Sequence, residues 1–126
     1  MPQIQVWINN DSSANTEKLV KALNDAVIAN KGKSLKAFFI FVDSSGNKIE
    51  PTLTEIAKKT NSQDVALAYI SPTNYAIKAY KVNLDPSVKN TIMFYRDKKI
   101  TETQVNLVAN DKGMADLKSA IGNLVK

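Results

Sequence analysis

The chain has 126 residues, a net charge of +5, and neither a cysteine nor a histidine. That length suits one domain, residues 1–126, and a 44% hydrophobic content suits a folded globule rather than a disordered segment. Absent together are the usual nucleophile, the usual proton shuttle, the two strongest transition-metal ligands and any disulfide framework.

No run approaches the ~20 consecutive apolar residues of a membrane span. Met1-Pro2-Gln3-Ile4-Gln5 reads as the start of a strand, not as a basic and apolar leader. The expectation is a soluble chain, cytoplasmic or extracytoplasmic after loss of a leader, because a cysteine-free sequence suits either compartment. Sixteen lysines against the single Arg96, scattered from Lys18 to Lys126, read as a solvated surface. Readers of nucleic acid favour the planar arginine fork, so nucleic acid is not the expected partner.

Gln3 to Ile8 alternates as a strand does, with Ile4, Val6 and Ile8 on one face and Gln3, Gln5 and Trp7 on the other. Trp7 is expected in the core if both faces are covered, and in a partner contact if one is open. Asn9-Asn10-Asp11-Ser12-Ser13 is a polar loop rich in helix caps. From Asn15 the period changes, and Leu19, Val20, Leu23, Ala26 and Val27 mark an amphipathic helix. Gly32 is expected to end it. Leu35 to Val42 is the most apolar run and predicts a central strand covered on both faces. Asp43 to Asn47 is a turn, followed by a helix with Pro51 near its start and Ile49, Leu53, Ile56 and Ala57 facing inward. Val65 to Ile70 predicts a second short buried strand. Ser71-Pro72-Thr73-Asn74 then opens a short helix carrying Ile77, Ala79 and Tyr80. After the break at Asp85-Pro86, Asn90–Arg96 and Thr101–Val108 form a hairpin about Asp97-Lys98-Lys99. Asn110-Asp111 opens a last helix with Met114, Leu117, Ile121, Leu124 and Val125 on one face.

The order is β-α-β-α-β-α-β-β-α. Alternating strands and helices imply parallel pairing, and the late hairpin adds an antiparallel edge. The fold class expected is α/β: a mixed sheet of about five strands in a three-layer α/β/α sandwich.

This order resembles the thioredoxin fold. Phe38-Phe39-Ile40-Phe41-Val42 is similar to the strand that runs into the redox motif of that family, and Pro51-Thr52-Leu53-Thr54-Glu55-Ile56-Ala57 to the helix after it. Counting back from Pro51 sets the family's Cys-x-x-Cys on Asp43-Ser44-Ser45-Gly46. Asn90 to Lys99 looks like the later strand and turn, with Asn90 in place of the family's cis-proline. Thiol–disulfide exchange needs a thiolate and a resolving thiol, and neither serine nor aspartate replaces them. The resemblance therefore implies a redox-inactive relative.

Three motifs carry little chemistry. Ser45-Gly46-Asn47-Lys48 matches S-x-x-K, in which a lysine one helical turn along takes a serine proton, but the supporting motifs are missing. Gly32-Lys33-Ser34 is half a phosphate loop, with Val27 where the first glycine belongs and a strand where the helix belongs. Asn10-Asp11-Ser12 fits the glycosylation pattern. Asp43, Glu50 and Glu55 sit near one end of the sheet, where capping and solvation explain them as well as acid–base work or a weak cation site would.

Loops at the carboxyl ends of strands are where open α/β sheets bind ligands. The expected role is therefore a non-enzymatic protein-binding or scaffold module using Asp43, Ser44, Ser45, Gly46, Pro72, Thr73, Asn74, Lys89 and Asn90. No catalytic residue, metal or cofactor is called for. The alternatives are a hydrolase-type enzyme using Asp43, Ser45 and Lys48, or a basic module associating with an acidic polymer or membrane surface. The free hairpin edge after Thr101 is a place where another chain, including a second copy, can pair. Glu102 and Lys99 partly guard it, so a monomer is favoured slightly over a homodimer.

Overall fold

A computed structural model describes residues 1–126. The strands are β1 (Pro2–Ile8), β2 (Lys36–Val42), β3 (Ala66–Ile70), β4 (Asn90–Arg96) and β5 (Lys99–Val105), and the helices are α1 (Ser13–Ala29), α2 (Glu50–Thr60), α3 (Tyr75–Ala79) and α4 (Asp111–Leu124). They form one sheet in the order β3-β2-β1-β4-β5. β1 pairs parallel with β2, and β2 with β3, whereas β4 is antiparallel to both β1 and β5.

The alternation of β1 is realised as read. Ile4, Val6 and Ile8 enter the main core with Phe39, Phe41, Ile92 and Phe94. Against this face lie Leu19, Val20, Leu23 and Val27 of α1, Leu53 and Ile56 of α2, and Leu117, Ile121 and Leu124 of α4. Phe39 and Phe94 are fully buried; each such side chain contributes roughly 1.5–3 kcal/mol by leaving water. Three helices thus share one face.

The opposite layer is thin. Trp7, Val42, Ile77 and Met93 form a second, four-residue core, covered by the five-residue α3 and by Val82 and Leu84 of the loop after it. Trp7 is 3% exposed and therefore a core residue. Its ring lies 5.6 Å from that of Tyr80, which meets Tyr95 edge-on at 6.4 Å. The indole N–H donates to Gln5, whose amide donates to Gln3, so a polar ladder continues along the half-covered face.

Four details differ from the sequence reading. Leu35–Val42 does not supply the central strand: β1 stands in the middle of the order, between β2 and β4, so the loop that leaves the central strand is 9–12 and not 43–46. Val65–Ile70 is not a buried strand: β3 is the sheet edge, and Ala66 and Ala68 are exposed. A short apolar run does not report whether a strand has one neighbour or two. Gly32 does not cap α1; Asn30 does, its backbone N–H and its side chain both bonding the Ala26 carbonyl, and the left-handed residue beyond is Ser34. The hairpin turn is the pair Asp97-Lys98, both at positive φ, so β5 begins at Lys99 and ends at Val105. Two left-handed residues give the turn whose twist matches the flanking strands.

Candidate functional site

Sheet direction gathers the loops. β1, β2, β3 and β5 all finish at the end where β4 begins. Five junctions therefore meet there: 9–12, 43–49, 71–74, 80–89 and 106–110. A cleft of about 180 Å³ opens between the first two, lined by Asn9, Asn10, Asp11, Asp43, Ile49 and Thr52 among others.

Residues 43–45 connect β2 to a short 3-10 turn, Gly46–Ile49, that leads into α2. The Asp43 N–H donates to the Ile70 carbonyl at 2.9 Å, which ties this loop to the one that follows β3. One Asp43 carboxylate oxygen accepts both from the Ser45 backbone N–H at 2.7 Å and from the Ser45 hydroxyl. Those hydrogen bonds, the hydroxyl's first, hold the Asp43 carboxyl below the usual aspartate range. A carboxylate made less basic is a poorer proton acceptor, and the serine proton is directed at it. Lys48 is exposed on the 3-10 turn. Glu50 accepts from the Tyr69 hydroxyl at 2.8 Å, a bond that pushes that phenol's pKa up.

On the neighbouring loop, the Ser71 and Thr73 hydroxyls share a hydrogen bond of 2.9 Å, and Asn74 caps α3 by accepting from the Ala76 N–H. Pro72 and Thr73 are exposed.

Lys89 and Asn90 lie at the same end but across β1 from Asp43, because β1 separates β2 from β4. Lys89 is exposed, with its backbone pinned between Asn9 and Asn106. Asn90 is 1% exposed. Its amide donates to the Asp11 carboxylate at 2.8 Å and to the Leu107 carbonyl at 3.1 Å, and its oxygen accepts from the Leu107 N–H at 2.9 Å. Asn15 repeats the pattern: it donates to Asp11 at 2.7 Å and to Leu107 at 2.9 Å, and accepts from the Ala109 N–H at 2.7 Å. Asp11 also accepts from the Ser12 N–H, and Ser12 caps α1. Asn9 reaches across to the carbonyls of Leu84, Asp85 and Val88.

The structure therefore joins Asn90 to Asp11, not to Asp43. Asp11 and Asn15 hold this junction together, whereas the sequence pattern gives Asp11 as a loop and capping residue and Asn15 as the start of the helical period. The available signal was the density of short amide and carboxylate side chains at 9–15, more than one cap requires. Every polar atom of the Asn90 side chain is engaged internally, so this junction is a clasp closed on itself.

No family model and no curated protein matches the sequence. Solved structures do match. A chain described as a thiol:disulfide interchange protein, DsbE, from Chlorobium tepidum aligns with TM-score 0.73 at 11% identity over 99% of this chain and 80% of that one. StoA from Bacillus subtilis aligns with TM-score 0.59 at 11% identity, over 95% and 81% of the two chains. A peroxiredoxin-like protein from Aquifex aeolicus gives TM-score 0.61 at 14% identity, over 95% and 72%. The architecture is thus a thioredoxin-like α/β fold, as the order of elements implies. Its sequence holds no thiol, so thiol–disulfide exchange has no nucleophile of its own here. No helix is long and apolar enough to cross a membrane.

Proposed function

We propose that this chain is a redox-inactive thioredoxin-like domain that acts as a non-enzymatic protein-binding or scaffold module. The observation that supports this reading most is the clasp of Asp11, Asn15 and Asn90. Asp11, Asn15 and Asn90 bond one another and the backbone, so none of the three is left as an unengaged base. A rigid loop end without chemistry suits recognition, because loops held by a scaffold present a preformed surface. In this reading Ser44, Ser45, Gly46, Pro72, Thr73 and Lys89, all exposed, are the contact residues. Asp43 and Asn74 shape their turns. Asn90, being buried, positions the loops and does not touch the partner.

The test is capture from an extract of the source organism by immobilised wild-type chain and by a Ser44→Arg/Thr73→Arg variant. Both positions are exposed, so the variant keeps its fold, checked by circular dichroism. The reading predicts a protein held by the wild type, lost by the variant, and bound again when both are purified. Equal capture by both, or none with the chain in large excess, refutes it.

A further inference from the structure

The two edges of the sheet are unlike. β5 carries Lys99 and Glu102 and a register irregularity opposite Phe94/Tyr95, which are devices that discourage pairing with another strand. β3 carries none. From Val65 to Ile70 the edge reads Val-Ala-Leu-Ala-Tyr-Ile, without charge, proline or glycine. It is a six-residue segment of the kind that pairs with its own copies.

Its backbone direction can be read. In a ladder alternate residues turn their N–H and C=O toward the same neighbour. The Ile70 carbonyl accepts from Asp43 on the β2 side. Ala68 and Ala66 therefore face β2 as Ile70 does, and Leu67 and Tyr69 present their backbone groups outward.

We infer that β3 is a self-pairing edge, joining antiparallel to β3 of a second copy about a twofold axis at Ala68. In that register Leu67 stands opposite Tyr69 of the second copy, so outward donors meet outward acceptors. On the half-covered face Ala66 stands opposite Ile70 of the second copy, a small residue against a large one, and Ala68 meets itself. No charge opposes a charge anywhere along the pair. β5 offers no such match, since pairing about its centre sets Glu102 against Glu102. The arrangement is closed, because each copy has one β3, and it yields a continuous ten-stranded sheet from two five-stranded ones. The contact is confined to the five residues of β3 in each copy, far fewer than the roughly 20–30 a side of a standard interface, so the dimer is weak.

Sedimentation of the full chain from ~10 μM to ~1 mM is the first test, with mass expected to rise from monomer to dimer and stop. Ala68→Lys and Ala68→Glu alter an exposed side chain and leave the fold intact by circular dichroism. Each alone weakens dimerisation at least ~10-fold by setting like charges across the axis, and an equimolar mixture of the two restores it. Because the chain has no cysteine, Ala68→Cys gives a clean cross-link. Residues facing each other in a non-hydrogen-bonded pair lie ~4.5 Å apart at Cα, within disulfide reach. Its oxidation to dimer outpaces that of Thr103→Cys on β5 at least ~10-fold. A monomer at every concentration, open-ended growth, failure of the mixture to recover, or equal cross-linking at 68 and 103 each overturns the inference.

Discussion

Removing the Asn90 side chain tests the clasp. Asn90→Ala deletes three hydrogen bonds, one of them to a carboxylate, at a position 1% exposed. It also strands the N–H of Leu107, a residue itself only 7% exposed. A charge-assisted bond contributes roughly 1.5–3 kcal/mol and a neutral one roughly 0.5–1.5 kcal/mol. Together these come to roughly 2.5–6 kcal/mol, and we take a loss of about 3–4 kcal/mol, short of the upper end because Asp11 keeps its bonds to Asn15 and Ser12. At ~2.1 cal/mol/K per residue this length has an unfolding entropy near 0.26 kcal/mol/K, so Tm falls by about 12–15 °C. Asn10→Ala, which removes one exposed bond to the Pro86 carbonyl, changes stability by no more than ~1 kcal/mol. Asn90→Asp sets two carboxylates together. The pair raises one folded-state pKa above its unfolded value, so the variant is relatively more stable at low pH and loses that stability as pH rises through the folded pKa. Urea melts at pH 7 and pH 4 read all three variants. An Asn90→Ala protein within ~1 kcal/mol of wild type refutes the reasoning.

Other outcomes follow from single features. A Cβ on Gly113 would overlap the Val108 carbonyl oxygen, so Gly113→Ala loses at least ~3 kcal/mol in a urea melt, whereas Gly122→Ala, with open space around it in the same helix, gains about 0.5–1 kcal/mol. Asp97 and Lys98 both sit at positive φ, so Asp97→Asn/Lys98→Gly raises Tm by several degrees, about 1 kcal/mol in stability, and no rise would contradict the turn assignment. The Asp43 carboxyl titrates below an ordinary aspartate, which makes its contribution to stability present at neutral pH and lost as pH falls through that depressed value. Ser45→Ala moves the titration upward in a carbon-detected NMR pH series; an unmoved Asp43 would mean that the serine hydroxyl is not its partner.

What sequence alone conveyed depended on the range of the signal. The 2.0 and 3.6 residue periods of Gln3–Ile8 and of Leu19–Val27 report local geometry, and both elements fell where the pattern indicated. The fold class followed from element order. Sheet position did not, because Val65–Ile70 looks equally apolar as an inner strand and as an edge, and its exposed residues are alanines. The clasp was invisible for a different reason. Asp11 and Asn90 are 79 residues apart, and each alone reads as a cap or strand start. The thioredoxin resemblance directed attention to residues 43–46, whereas the strand order sets Asn90 beside the junction at 9–12.

The central claim is that a thioredoxin-like scaffold without thiols presents its loops for binding rather than for chemistry. Its most direct test is turnover by the purified wild-type chain on disulfide and activated-ester substrates, run beside Ser45→Ala. The account predicts rates equal to buffer for both proteins on both substrates. Sustained turnover that follows the wild-type protein through purification and disappears in Ser45→Ala would contradict it.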